Sequence, residues 1–327
     1  MKQEIKIGFN EKDQRLDKFL RKLFKDVELN LIFRDIRKGN IKVNGKKKPI
    51  DYKLQEDDVI RIFGYHYEIK TKEEFITPKS EGEYIKPKVC FEDENLLVVI
   101  KDVDTVVHSM GDDLVNDLTS NVRTYLIKKG DYIPEKTLTF SPSSVNRLDR
   151  NTYGLVMFGK NNKSLYELNE VVRERKVKKH YMALIEGKIK DGLYKAYIKK
   201  DVKLNKSTVS LKKTPDSKEI IMEVKNLDTN GVVSLIDINL ITGRSHQIRS
   251  HLKFLGNPIL GDLKYGNKEL RNFFFNKYGV ENQLLFAYKL HFNGIDEDMS
   301  ISYLNNKVIV MPLPSQFKRI MKQEFKV

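Results

Sequence analysis

Residues 145–160 read Val-Asn-Arg-Leu-Asp-Arg-Asn-Thr-Tyr-Gly-Leu-Val-Met-Phe-Gly-Lys. The apolar run Leu155–Phe158 predicts a short strand that is buried on both faces. The polar turn before this strand places Asp149 between two guanidinium groups, those of Arg147 and Arg150. A lone aspartate before a turn is usually a turn or cap residue. Local chemistry by itself therefore favours a structural role for Asp149 over a catalytic one.

The overall composition indicates a folded, basic protein with room for two domains. The chain has 327 residues, 40% of them hydrophobic, and carries a formal charge of +15. This charge predicts a polyanionic partner such as nucleic acid, although a lysine-rich proteome would produce the same excess.

Several classes of protein do not fit the sequence. The longest aliphatic run, 96–100, is far shorter than the roughly 20 residues that span a bilayer, and the N-terminus lacks the apolar core of a secretory signal. The single cysteine, Cys90, argues against a disulfide framework and a cysteine-rich zinc site. His246 and His251 lack a carboxylate partner for zinc. We therefore expect a soluble, cytoplasmic protein without metal or cofactor, and a monomer is the default expectation.

The first 65 residues combine short strands with two amphipathic helices. Residues 1–10 alternate as in an edge strand, and apolar spacing predicts helices over 16–24 and 31–38, the second ending at Gly39. Asn44-Gly45 predicts a hairpin turn. The basic residues that we expect to contact RNA lie outside the apolar stripes and are Arg15, Lys18, Arg34, Arg37, Lys46, Lys47 and Lys48.

This order of elements resembles the small S4-like RNA-binding domain, named after a ribosomal protein. The resemblance implies that basic helix faces are presented to folded RNA. The alternative is that these lysines only form the solvent-exposed faces of two amphipathic helices. We favour RNA contact because Lys46, Lys47 and Lys48 follow a tight turn, where they protrude, and such contacts position RNA without reading its sequence.

Residues 66–87 lose periodicity and gain charge, proline and glycine, which predicts a linker between a domain at 1–65 and a second domain at 88–327. The second domain opens with two strands over 89–101. Apolar spacing predicts helices over 113–128 and 164–175 and short strands between 180 and 239. A further helix begins within the motif at 242–249 and ends at Gly256. The remaining residues predict strands and a helix over 315–322.

Two further motifs carry polar residues. Residues 180–187 read His-Tyr-Met-Ala-Leu-Ile-Glu-Gly and predict a strand that contains Tyr181. Residues 242–249 read Thr-Gly-Arg-Ser-His-Gln-Ile-Arg and predict a turn that leads into a helix. A tyrosine on an apolar strand is more often a packing residue than a functional one.

Together with residues 146–155, these motifs resemble those of the ribosomal large-subunit pseudouridine synthases: His-Arg-Leu-Asp-x-x-Thr-Ser-Gly-Leu, Lys-x-Tyr-x-Ala-x-Val-x-Gly and Thr-Gly-Arg-x-His-Gln-Ile-Arg. The resemblance implies an α+β protein, in which the S4-like domain precedes a catalytic domain built on a mixed, mainly antiparallel β-sheet flanked by helices. It also implies the cofactor-free isomerisation of uridine to pseudouridine in RNA, with 23S ribosomal RNA as the expected partner and substrate.

The same resemblance assigns roles to individual residues. Asp149 is the catalytic aspartate, and Arg249 pairs with it. Burial raises the pKa of a carboxylate, whereas a neighbouring guanidinium lowers it. We therefore expect Arg249 to keep Asp149 charged. Tyr181 stacks on the extruded base and takes the C5 proton. The expected substrate contacts are Arg147, Arg244, His246 and Gln247.

Two positions depart from the family signature. Asn146 replaces a histidine and retains hydrogen-bonding capacity. Tyr153 replaces a serine, and we expect its bulk beside the pocket to narrow the choice of substrate. Three alternatives remain open at this point: a non-catalytic RNA-binding factor in ribosome assembly, a synthase that acts on transfer RNA, and an aspartate-dependent nucleoside glycosidase. The last would need a second carboxylate near the motifs, and the sequence shows none there.

Overall fold

The computed structural model describes residues 2–64, 67, 84–109, 117–201 and 206–325. Within these ranges the chain forms seven α-helices and fourteen strands. The helices are α1 (Leu16–Leu23), α2 (Leu29–Lys38), α3 (Leu118–Lys129), α4 (Asn162–Arg173), α5 (Gln247–Phe254), α6 (Lys268–Tyr278) and α7 (Ser315–Phe325). The strands are β1 (Lys2–Lys6), β2 (Ile41–Val43), β3 (Val59–Phe63), β4 (Lys88–Glu92), β5 (Leu96–Lys101), β6 (Ser143–Ser144), β7 (Tyr153–Gly159), β8 (Val177–Glu186), β9 (Gly192–Asp201), β10 (Lys206–Ser210), β11 (Lys218–Thr229), β12 (Val233–Leu240), β13 (Leu285–Phe292) and β14 (Val308–Val310).

The chain folds into two compact units, and neither is continuous in sequence. The smaller unit contains residues 1–86, 119–143 and 158–167, and the larger one contains 87–118, 144–157 and 168–327. Most of the proposed linker, 66–87, lies outside the described residues. The domain boundaries at 65 and 87 therefore stay predictions.

The smaller unit contains both helices predicted near the N-terminus and a sheet with the strand order β1-β3-β2. Leu16, Phe19 and Leu20 of α1 are buried, because their spacing places them on one face of the helix. The predicted end of α2 is confirmed, since Gly39 adopts a left-handed conformation with φ of 79° that suits glycine.

The predicted hairpin at Asn44-Gly45 is only partly correct. Both residues have positive φ, as an Asn-Gly turn requires, and Val43 and Lys46 exchange two backbone hydrogen bonds of 2.9 and 3.0 Å. The returning chain, however, does not extend the ladder, and β2 pairs with β3 instead. Pro49, which lacks an N–H donor, shortly follows the turn and stops regular pairing.

The larger unit is built on a mixed, mostly antiparallel sheet with the strand order β10-β9-β11-β12-β8-β13-β7-β5-β4. The fold class is α+β, as predicted. The strand predicted from Leu155–Phe158 lies in β7, and all four side chains are fully buried. Gly154 has a φ of 142° and approaches β13 so closely that a Cβ atom would overlap the backbone of Ala287. These contacts fix the turn that precedes β7.

The sequence reading missed one helix, α6. Its apolar residues are not arranged as a clear stripe, because Phe273 and Phe275 are exposed and flank the buried Phe274. The helix begins at Asn267, whose side chain accepts hydrogen bonds from two backbone N–H groups, and it ends at the left-handed Gly279.

Candidate active site

The turn before β7 carries Asp149 and is held by hydrogen bonds on both sides. The side chain of Asn146 forms two hydrogen bonds to the backbone of β7. Its Nδ2 donates to the Leu155 carbonyl at 3.2 Å, and its Oδ1 accepts from the Met157 N–H at 2.9 Å. The Thr152 N–H donates to the Asp149 carbonyl at 3.0 Å. The expectation that Asn146 retains hydrogen bonding is confirmed.

A buried lysine anchors the same turn from β5. The Lys101 Nζ atom donates to the carbonyl oxygens of Asp102, Thr105 and Arg150 at 2.7, 2.8 and 2.7 Å. Burial lowers the pKa of Lys101 to about 8, although the charge of Asp149 opposes this shift. Because the Arg150 carbonyl directly follows Asp149, Lys101 ties the position of the aspartate to β5.

The Thr-Gly-Arg motif leads into α5, which presents Arg249 to Asp149. Arg249 Nη1 donates to Asp149 Oδ2 at 2.9 Å. The side chain of Arg249 is only 8% exposed, whereas that of Asp149 is 23% exposed. The predicted pair therefore exists, and its carboxylate remains accessible.

Asp262 holds the other side of the Arg249 guanidinium. Arg249 Nε and Nη2 donate to the two Asp262 carboxylate oxygens at 2.7 and 2.9 Å. Asp262 Oδ1 also accepts from the backbone N–H groups of Lys264 and Tyr265. Burial alone would raise the pKa of Asp262, but the hydrogen bonds and charge of Arg249 outweigh it and hold this pKa below its usual value. The planar guanidinium is thus fixed by one carboxylate while it binds another.

Aromatic residues complete the surroundings of this ion pair. The Arg249 guanidinium lies 5.3 Å from the centre of the Tyr265 ring, within the range of a cation–π contact. The Tyr265 hydroxyl accepts from the Ser207 N–H at 2.8 Å and lies 3.0 Å from His246 Nδ1. Burial lowers the pKa of His246, which favours its neutral form near pH 7.

Tyr181 lies on β8 and is buried. Burial and, to a lesser degree, the charge of Asp149 raise the pKa of its hydroxyl, so the phenol is protonated at neutral pH. Its ring packs with apolar residues of β12 and α5, including Ile238 and Ile248. Both a packing role and contact with a substrate are compatible with this position.

The ion pair of Asp149 and Arg249 lies at a cavity of about 570 Å³, a volume within the range of about 300–1,000 Å³ that is typical of small-molecule sites. All the site residues predicted in the larger unit line it: Arg147, Asp149, Tyr181, Arg244, His246, Gln247 and Arg249. The structure thus brings together residues that are up to 102 positions apart in sequence.

The contacts of Tyr153 and Gln247 bear on two expectations about the cavity. Tyr153 does not line the cavity; its ring packs edge-on against Phe286, with ring centres 6.2 Å apart. Its expected effect on the choice of substrate stays a prediction. The amide of Gln247 is buried and bonds to the Thr242 hydroxyl, the Arg244 N–H and the Ile221 carbonyl. Gln247 therefore fixes the turn before α5, and its contact with RNA stays a prediction.

The basic residues predicted in the smaller unit stay predictions as RNA contacts. Six of the seven are exposed and Lys48 is half-buried, with its Nζ 4.5 Å from the centre of the Tyr52 ring. Arg15 forms two hydrogen bonds of 3.1 Å to Asp17. The aliphatic part of Lys47 packs over Gly39.

Sequence reasoning missed Lys101 and Asp262 as parts of the site. A signal was present for Asp262, because an aspartate that follows the apolar segment 258–261 is unusual unless it is paired. For Lys101 the signal was weak, since a lysine at the end of a strand is ordinarily solvated. No group of three or more histidines, cysteines or acidic residues in the described ranges is arranged to hold a metal ion.

Comparison with known proteins identifies the family. The model of the RNA pseudouridylate synthase family matches residues 95–254, and the S4 domain model matches residues 14–60. A ribosomal large subunit pseudouridine synthase C of Buchnera aphidicola subsp. Baizongia pistaciae is 33% identical, with 97% of this chain and 96% of the relative covered. This chain belongs to the RNA pseudouridylate synthase family.

The family membership makes the protein an RNA pseudouridine synthase, and hence an isomerase. An RNA pseudouridine synthase of Mycoplasma capricolum is 32% identical, with 93% of this chain and 95% of the relative covered. Human RNA Pseudouridylate Synthase Domain Containing 4 shares the fold: its TM-score is 0.55 at 21% identity, with 72% of this chain and 92% of the human chain covered. None of the helices in the described segments of this synthase has the length and apolar character to span a membrane.

Proposed function

We propose that this synthase converts uridines of large-subunit ribosomal RNA to pseudouridine, with Asp149 as its catalytic carboxylate. The observation that carries the proposal is the Asp149–Arg249–Asp262 network at the wall of the cavity. The ribosomal target is supported by the relative from Buchnera aphidicola, which is named a large subunit pseudouridine synthase and matches nearly the full chain.

The isomerisation breaks the bond between ribose C1′ and uracil N1 and forms a bond between C1′ and C5. The hydrogen on C5 leaves as a proton, and a proton is bound at N1, so no atom is gained or lost. An ionised carboxylate beside C1′ serves either as a nucleophile or as an anion that stabilises positive charge on the ribose. Both roles need Asp149 correctly aimed, and the hydrogen bond from Arg249 Nη1 orients its carboxylate.

The target uridine must leave its stack to reach such a cavity, which costs a few kcal/mol. Tyr181 offers a ring on which the extruded base can stack. Its hydroxyl is protonated in the resting protein, since burial raises its pKa. It can therefore accept the C5 proton only after releasing its own.

The test is a pseudouridine map of total RNA from a strain that lacks this protein. The strain is complemented with the wild type, with Asp149→Asn, or with Asp216→Asn, which changes an exposed aspartate outside the cavity. Pseudouridines are located by carbodiimide adducts and primer extension along ribosomal and transfer RNA. We expect sites in large-subunit RNA that the wild type and Asp216→Asn restore and Asp149→Asn does not.

Other outcomes would overturn particular parts of the proposal. Restored sites confined to transfer RNA would replace the ribosomal target. Restoration by Asp149→Asn would remove the catalytic role of Asp149. Ribosomal RNA binding without any restored site would favour an assembly factor.

A further inference from the structure

Lys179 has an unusual environment for a lysine. It lies on β8 two residues before Tyr181, so both side chains are on the same face of the strand, and both line the cavity. The side chain is half-buried, and burial lowers its pKa. The side chain is therefore partly removed from bulk water.

Lys179 also lacks a partner within the described part of the chain, where no hydrogen bond or ion pair involves its ammonium group. The other two buried cations near Asp149 are fully engaged: Lys101 binds three carbonyl groups and Arg249 binds two carboxylates. A desolvated charge without a partner is unfavourable. This contrast suggests that the partner of Lys179 comes from outside the chain.

Arg175 adds a second cation to the same wall. It follows α4 in a left-handed conformation with φ of 63°, which is unfavourable for a residue other than glycine. Its side chain lines the cavity and, among the described residues, forms no ion pair. Arg173, by contrast, pairs with Glu170 at 3.1 Å.

The charges around the cavity are strongly unbalanced. Six of the described lining residues are lysine or arginine, and Asp149 is the one acidic residue among them. Arg249 already binds Asp149 and Arg173 binds Glu170, so four of the six described lining cations remain to bind an external anion. Ammonium and guanidinium groups at such a site suit phosphate oxygens.

We propose that Lys179 and Arg175 form a phosphate-binding wall that holds the RNA backbone next to the extruded uridine. This inference rests on the proposed function, because it assumes that RNA enters the cavity. It assigns substrate binding to two residues, Arg175 on the connection between α4 and β8 and Lys179 on β8 itself.

The experiment compares Lys179→Met with Lys178→Met in the full-length protein. Lys178 is the preceding residue of the same strand, is exposed and does not line the cavity. The probe is a fluorescent 12-nucleotide oligouridylate, and its Kd is measured at several salt concentrations. For Lys179→Met we expect roughly tenfold weaker binding at low salt, and a slope of log Kd against log salt that is smaller by about 0.7, the value for one phosphate contact on a single strand. Lys178→Met should bind like the wild type.

A second measurement separates a binding role from a structural one. Removal of an unpartnered, desolvated charge should leave the Tm of the free protein unchanged or higher, although RNA binding falls. Arg175→Gly should behave in the same way, because glycine adopts the left-handed conformation without strain. Equal Kd values and salt slopes for Lys179→Met and the wild type would overturn the proposal. An equal loss in Lys178→Met, or a lower Tm together with an unchanged slope, would also overturn it.

The probe makes this test independent of the ribosomal target. A wrong assignment of the natural RNA would alter the pseudouridine map but not the oligouridylate slope. If the salt slope of Lys179→Met equals that of the wild type while the pseudouridine map shows the expected ribosomal sites, only the phosphate-binding wall is rejected.

Discussion

The exposed cations of the smaller unit and Arg249, the arginine that binds Asp149, differ in how far they are removed from water. The side chains of Arg15 and Arg34 are 49% and 57% exposed, whereas that of Arg249 is 8% exposed. An exposed cation attracts RNA through screened, long-range electrostatics. A buried cation such as Arg249 can instead fix the orientation of one carboxylate. Cations are therefore expected to govern RNA affinity at exposed positions and turnover at the buried position of Arg249.

Removal of the catalytic charge should have the largest effect. Asp149→Asn keeps the size of the side chain, but the amide cannot act as an anion. We expect the single-turnover rate to fall by about 10⁴-fold or more, by analogy with other catalytic carboxylates. Release of tritium from RNA labelled at uridine C5 measures this rate directly. A residual rate within tenfold of that of the wild type would contradict a catalytic role for Asp149.

Tyr181→Phe should have the next largest effect. If the hydroxyl takes part in proton transfer, we expect the single-turnover rate to fall by about 10²-fold or more, with RNA affinity nearly unchanged because the ring remains. Tritium release and a parallel binding titration provide the two readouts. Full activity would limit Tyr181 to stacking.

Asp262→Asn should affect both stability and turnover, because the amide cannot bind Arg249 as a carboxylate does. We expect a loss of about 3 kcal/mol in the free energy of unfolding at pH 7 and a turnover roughly 10-fold to 30-fold lower, from a less well-ordered Arg249. Denaturant unfolding measures the first and tritium release the second. A variant as stable as the wild type would show that Asp262 is not needed to balance the charge of Arg249.

The stability effect of Asp262→Asn should also depend on pH. The folded-state pKa of Asp262 lies below its usual value, and the unfolded value is about 3.9. Its contribution to stability is therefore present above pH 4 and is lost as the pH falls through the folded pKa. The difference in stability between the wild type and Asp262→Asn should shrink below about pH 4, and unfolding curves from pH 7 to pH 3 would measure it.

The smallest effect is expected in the smaller unit. Lys46→Ala combined with Lys47→Ala removes two exposed charges, and we expect RNA affinity to fall only a few-fold at low salt and less at 0.3 M salt. The rate at saturating protein should stay unchanged. Binding titrations at two salt concentrations measure the loss. A lower saturating rate would contradict the division of roles between these exposed cations and the buried Arg249.

Much of the fold was predictable because local patterns and tertiary contacts agree. The run Leu155–Phe158 forms the buried strand that it predicts, and the stop at Gly39 lies where the sequence places it. Helix α6 was not predictable from its apolar pattern, since consecutive phenylalanines are divided between the core and the surface. Asn267 and Gly279, which bound this helix, were usable signals.

Only those residues of the candidate site that belong to the sequence motifs were predictable. Asp149, Tyr181 and Arg249 all line one cavity. The roles of Asp262 and Lys101 depend on contacts between distant segments, in which Asp262 meets Arg249 and Lys101 meets the Arg150 carbonyl. Spacing within a single element does not contain this information. The packing of Tyr153 was not predictable either, because its neighbour Phe286 belongs to a different strand, β13.

The most direct measurement for the central claim is the single-turnover rate of Arg249→Met at saturating protein, with Arg244→Met as the matched control. Both residues line the cavity, but only Arg249 binds Asp149. We predict a rate at least 100-fold lower for Arg249→Met, because Asp149 loses the guanidinium that orients it. Arg244→Met should weaken RNA binding but keep a rate within a few-fold of the wild type. A wild-type rate for Arg249→Met at saturation would contradict the pairing on which the proposed catalytic site depends.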